Sequence, residues 1–142
     1  MCLFVNQIRT EKFNKDNKLF KRIKVYKVLG FDKNNRLITP YIGTRVKFGF
    51  LKAGPGRNGS RGTTNVIEGG AVHCYEYKHD AEIWGPAATC KCCRCYIVEG
   101  WAYTCDYIAS GNRDFCFKKI YIPKPEIERI KKLYKQRFNP QI

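Results

Sequence analysis

Two hydrophobic rhythms share this chain. From Arg22 to Phe31, the run Ile23, Val25, Tyr26, Val28 and Leu29 is rich in β-branched and aromatic residues and predicts a buried strand. Asp32-Lys33-Asn34-Asn35 reads as a turn. A second extended stretch runs from Leu37 to Leu51, interrupted by Pro40 and Gly43. Further on, residues 71–75 predict a short strand and His79–Trp84 a short helix, stopped by Gly85-Pro86. Three strands are then expected. Residues 89–98 and 101–109 are joined at Glu99-Gly100, and 114–122 follow the turn Ser110-Gly111-Asn112. In the middle one, alternation puts Trp101, Tyr103, Cys105, Tyr107 and Ala109 on one face. The short links imply antiparallel pairing.

The period changes to 3.6 in the last segment. Ile127, Ile130, Leu133, Tyr134 and Phe138 form one stripe of a helix over 124–138, with Pro125 and Glu126 suited to its first turn. The other face holds Arg129, Lys131, Lys132, Lys135 and Arg137. Cations in the last turns suit the helix dipole, so part of this charge has a structural reason. At the other end, residues 1–21 are a basic N-terminal segment in which Phe13, Leu19 and Phe20 are candidate anchors of a short helix. Residues 53–62 contain four glycines and a proline, and read as a flexible surface loop carrying Arg57 and Arg61. The pattern as a whole predicts one α+β domain over 1–142: an antiparallel sheet with a C-terminal amphipathic helix and a Gly-rich surface loop.

Composition sharpens this picture. The chain has 142 residues, 44% hydrophobic and 14% aromatic, enough for a core without disulfides. Lys and Arg total 27 against 12 Asp and Glu, a formal net charge of +15. Such a surface attracts polyanions, so nucleic acid, a phosphate-bearing ligand or an acidic protein surface are the expected partners. No apolar run approaches the roughly 18 residues of a membrane span, and no secretory leader is visible. The expected setting is cytoplasmic and reducing, where eight cysteines are thiols or metal ligands rather than disulfides.

Three constellations invite chemistry. Cys90, Cys92, Cys93 and Cys95 form two overlapping C-x-x-C units, a spacing that lets two thiolates share one structural zinc. Further ligands would come from His73, Cys74, Cys105 or Cys116. The other reading makes these cysteines small apolar residues of a strand. His73 and Glu76 lie close in sequence, in reach of a nucleotide-acting enzyme site, but alternation puts them on opposite faces of a strand. The order H-E-x-x-H is absent. Finally, the glycine loop could offer N–H groups to a phosphate beside Arg57 and Arg61, although it matches neither a P-loop nor a dinucleotide fingerprint.

The start Met1-Cys2-Leu3, the strand Val25–Leu29, the block Gly69-Gly70-Ala71-Val72-His73-Cys74-Tyr75, the helix with Asp80-Ala81-Glu82 and the strand Phe115–Ile122 carry a likeness over most of the chain. In this order they resemble a group of small proteins encoded by phages and related mobile elements. The resemblance implies an origin rather than an activity. The Cys90–Cys95 stretch departs from the group, where that place is a plain aliphatic strand. The expected function is therefore a non-enzymatic viral accessory protein that binds an anionic target through Arg57, Arg61, Arg129, Lys131, Lys132 and Lys135. A host-defence inhibitor is a variant of this role. The alternatives are a virion-associated protein near packaged nucleic acid and a nucleotide-acting enzyme using His73 and Glu76. The expected location is the host cytoplasm or the virion.

Overall fold

The computed structural model describes residues 2–39, 44–53, 57–61, 64–68, 71–84 and 94–138. Within them the chain is α+β, with an eight-stranded antiparallel sheet, a smaller three-stranded sheet and three α-helices. In chain order the elements are β1 (Cys2–Phe4), α1 (Gln7–Asp16), β2 (Arg22–Phe31), β3 (Leu37–Ile38), β4 (Gly49–Lys52), β5 (Arg57–Arg61), β6 (Thr64–Glu68), β7 (Val72–Tyr75), α2 (Lys78–Trp84), β8 (Arg94–Tyr103), β9 (Tyr107–Ser110), β10 (Asp114–Phe117), β11 (Lys119–Ile122) and α3 (Lys124–Phe138).

The large sheet has the order β4-β11-β8-β2-β7-β10-β9, with β3 hanging from β2. Its spine is the pairing of β2 with β8, in register from Arg22↔Tyr103 to Phe31↔Arg94. Three strands lie between β10 and β11 in this order, yet Lys118 alone joins them. Two Cα steps span only about 7 Å. The sheet must therefore roll on itself, and residues 114–122 act as one bent strand, pairing first with β7 and then with β8.

Alternation sorts the side chains of the rolled sheet. Val25, Leu29 and Phe31 of β2 point inward with Val98, Ala102, Phe115, Phe117, Ile120 and Ile122, and form the main core. α3 adds Ile127, Ile130 and Tyr134 to it, and α1 adds Phe13, stacked on Tyr107 at 3.8 Å between ring centroids. On the outer side α2 buries Ala81 against Val28 and Tyr75. β2 spans the residues expected of it, and α3 begins and ends where its pattern indicates. Leu133 does not join its stripe: it is 41% exposed. The side chain of Phe138 lies outside the described residues. In the N-terminal segment only Phe13 anchors α1, whereas Leu19 and Phe20 are exposed. Asn6 caps the helix by accepting from the Arg9 N–H.

Two expectations change. Glu99-Gly100 is not a link between strands but the middle of β8, which runs unbroken from Arg94 to Tyr103. Gly100 is there because a Cβ would stand 2.3 Å from the Tyr121 carbonyl oxygen. The glycine marks a close approach of two backbones rather than a turn. The break comes later, in a 3-10 turn over Thr104–Asp106, which ends the alternation begun at Trp101. Tyr107 consequently faces the main core, while Ala109 packs with Cys116 in a separate cluster.

Part of the glycine-rich stretch is a strand rather than a loop. Arg57–Arg61 form β5, an edge strand paired with β6, which in turn pairs with β1. An edge position tolerates glycine because one side of the strand needs no partner. The remainder of that stretch beyond Ala53 lies outside the described residues.

The Gly100 contact yields a direct expectation. Gly100→Ala forces the β8 and β11 backbones apart and lowers stability by about 2–3 kcal/mol, read as a shift in the urea unfolding midpoint. A variant as stable as the parent would show that the two strands do not approach this closely.

Candidate anion-binding cleft

A strongly basic concavity forms where β2 ends. Asp32 organises the turn after it: one carboxylate oxygen accepts from the Asn34 and Arg36 N–H groups, both at 2.9 Å, and the other meets Arg36 Nε at 2.9 Å. These bonds, the Arg36 N–H foremost, hold the Asp32 carboxyl below its usual range. Asn35 sits at φ 62°, a conformation that asparagine tolerates. Its side-chain oxygen accepts from the Tyr134 hydroxyl, and the Tyr134 ring stacks on Phe31 at 3.9 Å. The turn is thereby tied to α3.

The chain then doubles back. Ile38 bridges to Arg45, and Val46 N–H donates to the Leu37 carbonyl. Val46 is buried, and its neighbours Arg45 and Lys47 are exposed. Across from them, Lys131 and Lys135 stand one turn apart on α3. Together with Arg36, they line a cleft of about 630 Å³ floored by Phe31, Leu37, Val46 and Tyr134. Five cations converge there, and none of its described lining residues is acidic. Arg36 is already engaged by Asp32; the arrangement suits several phosphate oxygens at once, with arginine able to bind in a fork.

The structure divides the residues expected to bind an anion. Lys131 and Lys135 are in the cleft. Lys132 is exposed on α3 but does not line it. Arg129 has a structural task instead. Its guanidinium pairs with Glu126 at 2.9 Å and donates to the Ile97 carbonyl at 2.7 Å. Glu126 also accepts the Glu99 N–H at 2.9 Å, so this pair closes an edge of β8. Each partner's charged form is favoured: Glu126 is held low by Arg129, and Arg129 is raised by Glu126. Arg57 and Arg61 are the ends of β5, and their side chains lie outside the described residues. Arg36, Arg45 and Lys47 are not among the anion-binding residues expected from the sequence. Only the fold-back of residues 44–48 along β3 brings them to α3.

The other constellations separate in space. His73 on β7 stands opposite Cys116 on β10, and neither ring nitrogen has a hydrogen-bond partner among the described residues. Burial first, then the charges of Lys27 and the N-terminus, lower its pKa to about 4. Glu76 is instead exposed beside Arg9, at 3.4 Å, in a groove that His73 does not line. Burial pushes the Cys74 thiol far up and Cys116 up to about 12, so both are poor nucleophiles. Cys95 packs with Val28, Tyr75 and Ala81, and Cys105 is exposed on the 3-10 turn. Cys90, Cys92 and Cys93 lie outside the described residues. Among the described residues, no group of three or more His, Cys, Asp and Glu side chains is placed to hold a metal ion. Nor is any described helix long and apolar enough to cross a membrane.

No family model, curated protein or solved structure significantly matches this chain.

His73 makes stability depend on pH in a definite direction. Its folded pKa lies below the unfolded value near 6.5, so the unfolded chain takes up the proton first. Its share of stability is complete above about pH 6.5 and is lost as pH falls toward 4, by at most about 3 kcal/mol. His73→Leu should flatten this limb. The check is the difference in urea midpoint between pH 7 and pH 4.5, parent against variant; equal differences would exclude a neutral buried histidine.

Proposed function

We propose that this protein acts by binding rather than by catalysis, and that the cleft between α3 and the turn after β2 takes a phosphate-bearing polyanion. Nucleic acid is the ligand class best matched to a chain of net charge +15. The observation that carries this reading is the convergence of Arg36, Arg45, Lys47, Lys131 and Lys135 on one concavity without an acidic lining residue. Charges that merely solvate a surface are spread out and interleaved with acids. Here they face one another across a cleft, where mutual repulsion is relieved by an anion.

In the biological setting that the sequence resemblance implies, the protein is a phage accessory factor. It works in the host cytoplasm or in the particle, and a host-defence role is a special case in which the bound polyanion belongs to the defence machinery.

The test is binding of labelled oligonucleotides across a salt series from about 50 to 200 mM. Neutralising Lys131 and Lys135 together, or Arg45 and Lys47 together, should weaken binding at low salt. Each lost phosphate contact should make the plot of log affinity against log salt shallower by about 0.7–0.9. Lys132→Gln, on the same helix but outside the cleft, should have a much smaller effect. Absence of binding at low salt overturns the proposal, as does an equal loss from Lys132→Gln.

A further inference from the structure

A second surface is of a different kind. On the outer side of the sheet, where α2 does not reach, five aromatic rings form an unbroken path across β8, β11 and β4. It runs Phe20, Tyr103, Trp101, Tyr121, Phe50, with successive centroids 4.8 to 5.2 Å apart. These are not core residues. Phe20 is 66% exposed, Phe50 is 46% exposed, and the three rings between them are only partly buried. The register explains the row: Trp101 stands opposite Tyr121, and Tyr121 opposite Phe50, on adjacent strands of one face.

Cations stand among the rings. The Arg22 guanidinium lies over Trp101 at 4.8 Å, and Lys119 Nζ over Phe50 at 4.9 Å. Lys52 faces Lys119 in the register, and Lys24 faces Trp101. Against these four stands the Glu99 carboxylate, paired with Lys24 at 3.2 Å. Apolar rings left in water, set among surplus positive charge, suit a partner that is both flat and anionic. Stacked bases on a phosphate backbone combine the two properties, whereas an apolar protein face would leave the cations unmatched. A duplex keeps its bases inside and cannot offer them to the rings.

We propose that this outer face is a stacking platform for single-stranded nucleic acid, with bases laid on Phe20, Phe50 and the Arg22–Trp101 pair and phosphates met by Lys52 and Lys119. It deepens the polyanion-binding reading by naming the substrate class, and rests on a surface separate from the cleft.

The test compares three probes of similar charge: a single-stranded oligonucleotide, the matching duplex, and inorganic polyphosphate, which has no bases. The single strand should bind tightest. In Trp84→Phe protein, Trp101 is the remaining tryptophan, and its fluorescence should change on adding the single strand but not polyphosphate. Phe50→Ala and Arg22→Ala should each weaken single-strand binding about five- to a hundredfold and leave polyphosphate binding unchanged. Both sites are surface positions, and an unfolding curve like the parent's confirms that the fold persists. Neutralising Lys131 and Lys135 should instead weaken all three probes. Single-strand binding lost with Phe50 but indifferent to Lys131 and Lys135 keeps the platform and removes the cleft reading. Equal affinity for all three probes, with unchanged Trp101 fluorescence, overturns the platform. So does a dimer in sedimentation that Phe50→Ala dissociates while single-strand affinity stays unaltered, since the face would then serve a second copy of the chain.

Discussion

The ten-residue pairing of β2 with β8 holds the rest of the molecule in place. One side of these two strands is the floor of the core and the other carries the outer aromatic face. A shift of one residue between them would exchange the two, sending Val25 and Leu29 to solvent and Arg22 and Lys24 inward. That shift is opposed from both sides. Gly100 admits the Tyr121 carbonyl at a point where any side chain would collide. Just before it in β8, Arg129 and Glu126 of α3 bond the backbone of Ile97 and Glu99. The packing of β11 and of α3 thus depends on the same register.

The rolling of the sheet follows from the bent strand 114–122 and brings α1 and α3 to the core. Phe13 enters from α1 against Tyr107, Phe115 and Phe117. Tyr134 enters from α3 against Phe31, and its hydroxyl secures the turn that carries Arg36. One buried tyrosine therefore serves packing and the alignment of the cleft walls together, so loss of its ring would disturb stability and the shape of the cleft at once.

The large positive charge is not one feature but several. Arg9 holds Gly111 and Glu76, Arg129 closes an edge of β8, and Lys27 reaches the His73 carbonyl at 2.7 Å, where burial lowers its pKa. These cations stabilise the fold. Arg36 in the cleft is likewise held by Asp32, and Lys24 on the aromatic face by Glu99, while Arg45, Lys47, Lys131 and Lys135 converge on the cleft from two separate parts of the chain. A count of +15 mixes the two kinds, and only position separates them.

Local pattern alone determined β2, the turn at Asp32–Asn35, α2 and α3, because each rests on short-range periodicity and capping. It also determined the net charge of +15, since charge is a sum over residues and needs no coordinates. Tertiary structure decided the rest. Gly100 reads as a turn until Tyr121 is seen beside it, and Arg57–Arg61 read as a loop until β6 pairs with them. Arg129 and Lys131 look equivalent on one helix, yet two residues of rotation put one on a strand edge and the other in a cleft. Arg36, Arg45 and Lys47 lie far from α3 along the chain. Long-range contact is what brings them to one cleft, and nothing local in the sequence encodes a contact made by the fold-back of residues 44–48 toward a helix some 85 residues later.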